Sequence, residues 1–373
     1  MVIEEALLKY DEQSVFKLRS LYSRFGYSQY KMSKFEEYDL YVRNKDFLIS
    51  DSVITFTDTS GKLLALKPDV TLSIINNCKD IAGQVQKVYY NENVYRISGS
   101  SHNYKEIMQT GLECIGDIGL YDVCEVLLLA LSSLEIIDTD HILSVSHIGL
   151  LKAVLDDFGI FDENKKQVIE LISSKNNDGI EDFCADNAYS KAVAESLKVF
   201  TESYTSIDSA LAAIGGIANS QSAKEAFREF ESILTVLKDR GNDKKIVIDF
   251  SSVNGMRYYS GIVFKGYINK IPESVCSGGQ YDKLMRKMNR SSSAIGFAVY
   301  LDALERFKVN DTGYDVDTIL IETDDICGCL DAAKKLSEKG ESVRVCRNIP
   351  ENIRFRRVMK LCGKELVSLS END

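Results

Sequence analysis

The chain has 373 residues, 45% of them hydrophobic and 27% charged, and a formal net charge of −11. This is the balance of a water-soluble globular protein of two to three domains. It excludes a membrane-spanning chain, because no apolar run is long enough, and it weighs against a nucleic-acid partner, because phosphate affinity comes mostly from basic residues.

The N-terminus, Met1-Val2-Ile3-Glu4-Glu5, lacks the basic start and apolar core of a signal peptide, so a cytoplasmic protein is expected. Nine cysteines follow no repeated spacing and there are only three histidines, which predicts reduced thiols and no metal site. Residues 1 to 25 carry Leu7, Leu8, Phe16, Leu18, Leu21, Tyr22 and Phe25 in a helical stripe that Gly26 ends. A hairpin follows: strand 53–57, the turn Asp58-Thr59-Ser60-Gly61, and strand 63–66. It runs into Lys67-Pro68-Asp69-Val70-Thr71. There Asp69 reads equally well as a helix cap or, with Thr71, as part of a site.

Residues 87 to 116 form a second hairpin. Val88, Tyr90, Glu92, Val94 and Arg96 share one face of its first strand, and Gln109, Gly111 and Glu113 share a face of its second. Alternation alone favours an ordinary amphipathic hairpin with one solvated face, and the alternative is that the glycine leaves a gap against which a ligand could lie. An apolar helix at 120–137 and a short strand at 144–147 come next, then helical patterns from about 148 to 240 that show no chemistry. His141 and His147 read as structural residues at strand ends. Strand 246–250 precedes Tyr258-Tyr259, two tyrosines expected in a strand with one pointing to a pocket. Residues 307–315 read as a linker. Beyond them a β-α-β-α order is expected: strand 318–321, helix 325–339, strand 342–346, and a basic helix over 351–362.

The run Val94-Tyr95-Arg96, loop, Gln109-Thr110-Gly111-Leu112-Glu113 resembles motif 2 of class II aminoacyl-tRNA synthetases, in its histidyl version. The likeness covers most of residues 10 to 306. Leu66-Lys67-Pro68-Asp69-x-Thr71 is similar to the family's Leu-Arg-Pro-Glu/Asp-x-Thr. Residues 254–264 resemble its Arg-Gly-Leu-Asp-Tyr-Tyr-Thr-Gly motif, and Ser277-Gly278-Gly279-Gln280-Tyr281-Asp282 its Gly-Gly-Arg-Tyr-Asp turn. Residues 293–304 stand at motif 3. Phe35-Glu36-Glu37-Tyr38 stands at motif 1 but lacks the proline usual there. The implied fold is α+β: an antiparallel sheet flanked by helices over 1–306, with a helical insertion at about 148–240. Residues 316–373 resemble the start of an anticodon-binding domain.

The same resemblance implies a histidine site. Asp69 and Thr71 would hold the ammonium, Gln109 and Arg96 the carboxylate end, and Glu113 with Tyr258 or Tyr259 the imidazole. The phosphate side departs from the family. Its arginines fall on Asn254, Gln280 and Ala303, and the loop Ser98–Lys105 has none. Guanidinium groups hold ATP because each binds phosphate oxygens with two hydrogen bonds, so these losses argue against adenylate formation. A histidyl-synthetase body without that machinery resembles the regulatory subunits of ATP phosphoribosyltransferase. That family implies a non-catalytic protein without cofactor or metal, acting at the first step of histidine biosynthesis. It implies a short-form catalytic subunit as partner, L-histidine as effector, self-association as a dimer, and no nucleic acid or membrane. A divergent histidyl-tRNA synthetase and a histidine sensor with some other partner are the alternatives.

Overall fold

A computed structural model describes residues 8–45, 48, 53–79, 81, 83–97, 103–253, 259–302, 304, 313–363 and 365–371. The chain divides into two compact units, Met1–Lys308 and Val309–Asp373.

In the first unit, α1 (Tyr10–Arg24) buries Val15, Leu18 and Tyr22 along one face, and Gly26 at φ 81° ends it. Next come β1 (Ser28–Gln29), β2 (Phe35–Glu37) and α2 (Tyr38–Arg43). The expected hairpin forms from β3 (Thr55–Thr57) and β4 (Leu63–Leu66), and β2 joins it in a three-stranded sheet. After α3 (Val70–Asn77), β5 (Val85–Ile97) and β6 (Tyr104–Gly116) pair antiparallel along their whole length. Then α4 (Leu120–Ile137), apolar on most sides, packs on the sheet, and β7 (His141–His147) returns into it.

The insertion is helical, as its pattern predicts. It comprises α5 (Ile148–Asp157), α6 (Asp162–Ser173), α7 (Asn177–Asp186), α8 (Lys191–Lys198), a two-residue β8 (Ser203–Tyr204), α9 (Ile207–Gly215) and α10 (Gln221–Asp239). Asn176, Ser190, Ser206 and Ser220 each accept a backbone N–H at a helix start, which fixes where four of these helices begin. The chain then completes the sheet with β9 (Ile246–Asp249), β10 (Ile262–Ile268), β11 (Cys276–Gln280) and, after α11 (Asp282–Lys287), β12 (Ser293–Tyr300). Among the described residues the sheet has nine strands in the order β1-β5-β6-β12-β11-β10-β7-β9-β8, antiparallel apart from β1–β5 and β7–β9. This is the α+β architecture expected. No described helix is long and apolar enough to cross a membrane.

Three details differ from the sequence reading. The gap at Gly111 is occupied by the protein's own atoms. Tyr90 stands opposite it, and a Cβ there would lie 2.5 Å from the Tyr90 hydroxyl and 2.2 Å from the Phe297 carbonyl. Tyr259 lies in irregular chain before β10 rather than in a strand, and Tyr258 is outside the described residues. Residues 351–362 do not form a basic helix. In the second unit β13 (Val316–Ile321), α12 (Ile326–Glu338), β14 (Val343–Cys346), β15 (Phe355–Cys362) and β16 (Glu365–Glu371) build a sheet in the order β14-β13-β15-β16. Met359 and Leu361, two apart, pack with Leu320 and α12, so the operative period is that of a strand. Arg357 pairs with Glu341 at 2.5 Å and donates to Thr318 on β13. Most of the linker at 307–315, and Ala303 in motif 3, lie outside the described residues.

Since the Gly111 site is filled on both sides, Gly111→Ala forces backbone or ring displacement. We expect a loss of about 1–3 kcal/mol in urea unfolding. An unchanged midpoint would show that β6 accepts a side chain there.

Candidate functional site

The Lys67–Thr71 segment is set first. Lys67 is fully buried, and its ammonium lies 2.8 Å from Glu92 on β5. Its backbone bonds Lys34 on one side and Tyr95 on the other. That fixes Asp69 at the start of α3. The Asp69 carboxylate accepts from Leu72 N–H at 2.9 Å, so the cap and the site residue are the same side chain. Arg96, near the end of β5, donates Nε to the Pro68 carbonyl at 3.1 Å and lies close enough to favour the charged form of Asp69.

Glu113 on β6 is the floor. One carboxylate oxygen accepts from Thr71 Oγ1 at 2.7 Å and the other from the Tyr281 hydroxyl at 2.5 Å. It lies across β12 at Gly296, where a Cβ would fall 1.8 Å from the carboxylate. Gln109, two turns of the pleat along β6, is also buried. Asp69, Thr71, Arg96, Gln109, Glu113 and Tyr259 thus line one enclosed cavity, six of the seven residues predicted. Tyr258, the seventh, is outside the described residues. Free space between them is about 30 Å³, room for roughly one or two waters, so side chains must shift to admit an amino acid. A groove of about 600 Å³ opens between Glu36–Asn44, Asn76–Asn77 and Lys287–Asn289. It is wider but gathers no buried charge, and the small cavity is the candidate.

Sequence reasoning missed Tyr281, Tyr300 and Ser277 as lining residues. Tyr281 stands beside Gln280 in a motif examined only for its lost arginine. Tyr300 pairs with Gln109 across β12 and β6, and its hydroxyl meets Ser277 at 2.5 Å. Alternation along β12 was the available signal.

The two acids are strained electrostatically. Burial pushes the Glu113 carboxyl up to about 8, with the hydrogen bonds from Tyr281 and Thr71 opposing and nearby Asp69 adding to the rise. Burial also raises Asp69, against the Leu72 hydrogen bond and Arg96. Burial thus works against the ionised form that its two hydrogen-bond donors favour. A ligand bringing an N–H donor or a cation would favour its ionised form, and Arg96 with Gln109 could meet a carboxylate. Among the described residues no cluster of His, Cys, Asp or Glu could hold a metal. Gln280, at the position the resemblance gives to an arginine, is committed: its Oε1 accepts from Ile262 N–H at 2.8 Å. Asn254, Ala303 and loop residues 98–102 are outside the described residues.

Comparison with known proteins fits this geometry. The histidyl-tRNA synthetase family model matches residues 4–304, and the chain belongs to that family. An ATP phosphoribosyltransferase regulatory subunit from Oceanobacillus iheyensis is 25% identical over 77% of this chain and 71% of its own length. A histidine–tRNA ligase from Methanococcus vannielii is 26% identical over 96% of this chain and 87% of its own. Among solved structures, an ATP phosphoribosyltransferase regulatory subunit/histidyl-tRNA synthetase from Bacillus halodurans superposes with a TM-score of 0.76 at 23% identity, covering 96% of both chains. A chain of the ATP phosphoribosyl transferase (HisG:HisZ) complex from Thermotoga maritima gives 0.62 at 22% identity, over 78% of this chain and 97% of that one.

A carboxyl whose folded value lies above its unfolded one binds its proton more tightly in the fold. It therefore stabilises the fold at acid pH, and that contribution is lost as pH rises from about 4.5 towards about 8. Asp69 acts in the same direction. Glu113→Gln should flatten this decline, gaining roughly 2–4 kcal/mol on the unsubstituted chain between about pH 5 and about pH 8.5. Thermal unfolding across that range checks it, and parallel curves for the two chains would contradict the assignment.

Proposed function

We propose that this member of the histidyl-tRNA synthetase family is the regulatory subunit of an ATP phosphoribosyltransferase. It binds L-histidine and conveys feedback inhibition to a short-form catalytic subunit at the first step of histidine biosynthesis. It makes no histidyl-adenylate itself. The observation that carries the reading is that amino-acid chemistry is kept while phosphate chemistry is missing. Six side chains of the expected histidine set surround one buried cavity. At the same time Gln280, Asn254 and Ala303 replace arginines, and the Gln280 amide is spent on Ile262.

In this reading Asp69 and Thr71 face the ammonium, Arg96 and Gln109 the carboxylate, and Glu113 the imidazole, with Tyr258 and Tyr259 beside it. Tyr281, now bonded to Glu113, yields or shares that carboxylate when the ring enters. The regulatory-subunit relative supports the assignment, and the solved two-protein complex supports a catalytic partner. The acidic balance fits a protein partner better than tRNA. We place the protein in the cytoplasm, as a dimer within the complex. Residues 316–373 form its anticodon-domain-like part. The competing reading, an active ligase, is favoured by the ligase relative that spans most of both chains.

Two assays separate the readings. With histidine present, ATP–pyrophosphate exchange should stay at background, since losing one transition-state donor already costs on the order of a hundredfold. Clear histidine-dependent exchange would establish the ligase. Mixing with the short catalytic subunit should raise phosphoribosyl-ATP formation, and histidine should reverse it. No activation would reject the regulatory role and leave a sensor for another partner. By calorimetry Glu113→Ala should weaken histidine binding by about 2–4 kcal/mol. Equal binding by the variant would remove this cavity as the sensor.

A further inference from the structure

The face of the sheet that floors the cavity continues past it. Directly opposed residues on paired strands stand on the same face. One row of such partners is Gly111, Ala298, Ser277, Lys265 and Ser144, running from β6 through β12, β11 and β10 to β7. The next row is Glu113, Gly296, Gly279, Val263 and Ser146. Ala298 and Ser277 in the first row, and Glu113 and Gly296 in the second, line the cavity. Tyr259 forms its wall over β11, where a Cβ on Gly279 would lie 2.9 Å from the tyrosine ring. On the far side of that wall, on β10 and β7, stand Lys265, Ser144 and Ser146.

These three side chains have an unmet requirement in common. Lys265 is half-buried, and among the described residues its ammonium makes no ion pair or hydrogen bond. Burial holds that ammonium below the usual lysine range, with the charge of Asp249 opposing. Asp249 is committed elsewhere: its carboxylate takes Lys175 Nζ at 2.8 Å, Ser203 Oγ at 2.7 Å and Ser251 N–H at 2.8 Å. The Ser146 hydroxyl is fully buried and has no hydrogen-bond partner among the described residues, which is costly for a polar group. Ser144 lies directly opposite Lys265, and Ser146 is its diagonal neighbour, within reach of a long side chain. An ammonium and two hydroxyls are all donors, and an anion with three acceptor oxygens can meet them together. We propose that Lys265, Ser144 and Ser146 bind a phosphate group, free or carried on a nucleotide or sugar, across Tyr259 from the cavity. None of the three is a position that the resemblance gives to phosphate, and no transfer step is implied.

The test uses the full chain. Inorganic phosphate, ribose 5-phosphate and ATP are each titrated calorimetrically at millimolar concentrations, and at least one should bind saturably. Lys265→Met should weaken that binding roughly tenfold or more, while Lys265→Arg, which keeps the charge, should stay within about threefold of the unsubstituted chain. Ser146→Ala should weaken it roughly three- to tenfold. An ester that binds more tightly than inorganic phosphate identifies the carried group as the ligand; otherwise the site is one for free phosphate. Absence of binding by all three overturns the proposal, as does binding that Lys265→Met leaves unchanged. A second readout needs no variant. Carbon NMR of the Lys265 ε-carbon follows its titration, and the bound anion should move the midpoint to higher pH because it favours the charged form. A midpoint that phosphate leaves in place overturns the proposal even if a variant fails to fold. These outcomes stand whether or not histidine enters the cavity.

Discussion

A carboxyl group buried in the middle of a sheet constrains the rest of this structure. Glu113 is 2% exposed, and burying such a group without hydrogen bonds costs several kcal/mol. Its two donors come from far along the chain, Thr71 at the start of α3 and Tyr281 just past β11. The space it needs is left by Gly296 on β12. Satisfying this one group therefore requires α3, β6, β11 and β12 to arrive together. The buried Lys67–Glu92 pair holds the first of these in place.

In the reading proposed above the site has two halves with different fates. The half assigned to the amino acid is polar and internally bonded. On the half assigned to phosphate, a neutral amide at Gln280 stands where the resemblance places an arginine, and it has been absorbed into the fold as the acceptor for Ile262. Restoring an arginine there would orphan that backbone N–H and place a cation near His147. The change is thus costly to undo from either side. A fold can keep the recognition surface of an enzyme while the groups that stabilised charge in its reaction become structural.

Much of this was legible in the sequence, for identifiable reasons. The hairpin 87–116 carries alternating side chains and 120–137 is a strongly apolar run, and the strands and the helix appear there. Asp69, Thr71, Arg96, Gln109 and Glu113 came from resemblance. Alternation alone could place Gln109 and Glu113 on one face but could not say that the face was buried. Tyr281 and Tyr300 escaped because their roles depend on β12 pairing with β6, and β11 with β12, from distant sequence. The basic run 351–362, expected as a helix, contains the strand Phe355–Cys362. Pairing with β13 and β16, invisible to a local window, decided the outcome.

The strand order has a consequence for synthesis on the ribosome. β6 pairs with β5 as soon as the hairpin emerges, but its other neighbour is β12, with Gly116 opposite Ser293. At ordinary elongation rates those roughly 180 residues take about ten to forty seconds to make. Throughout that time the strand carrying Glu113 presents an unpaired edge. The helices of the insertion, closed mostly by local contacts, are made in the interval and can fold on their own schedule. The cavity is therefore a late product of translation, and the nascent chain is most prone to stray strand pairing before residue 293 leaves the exit tunnel.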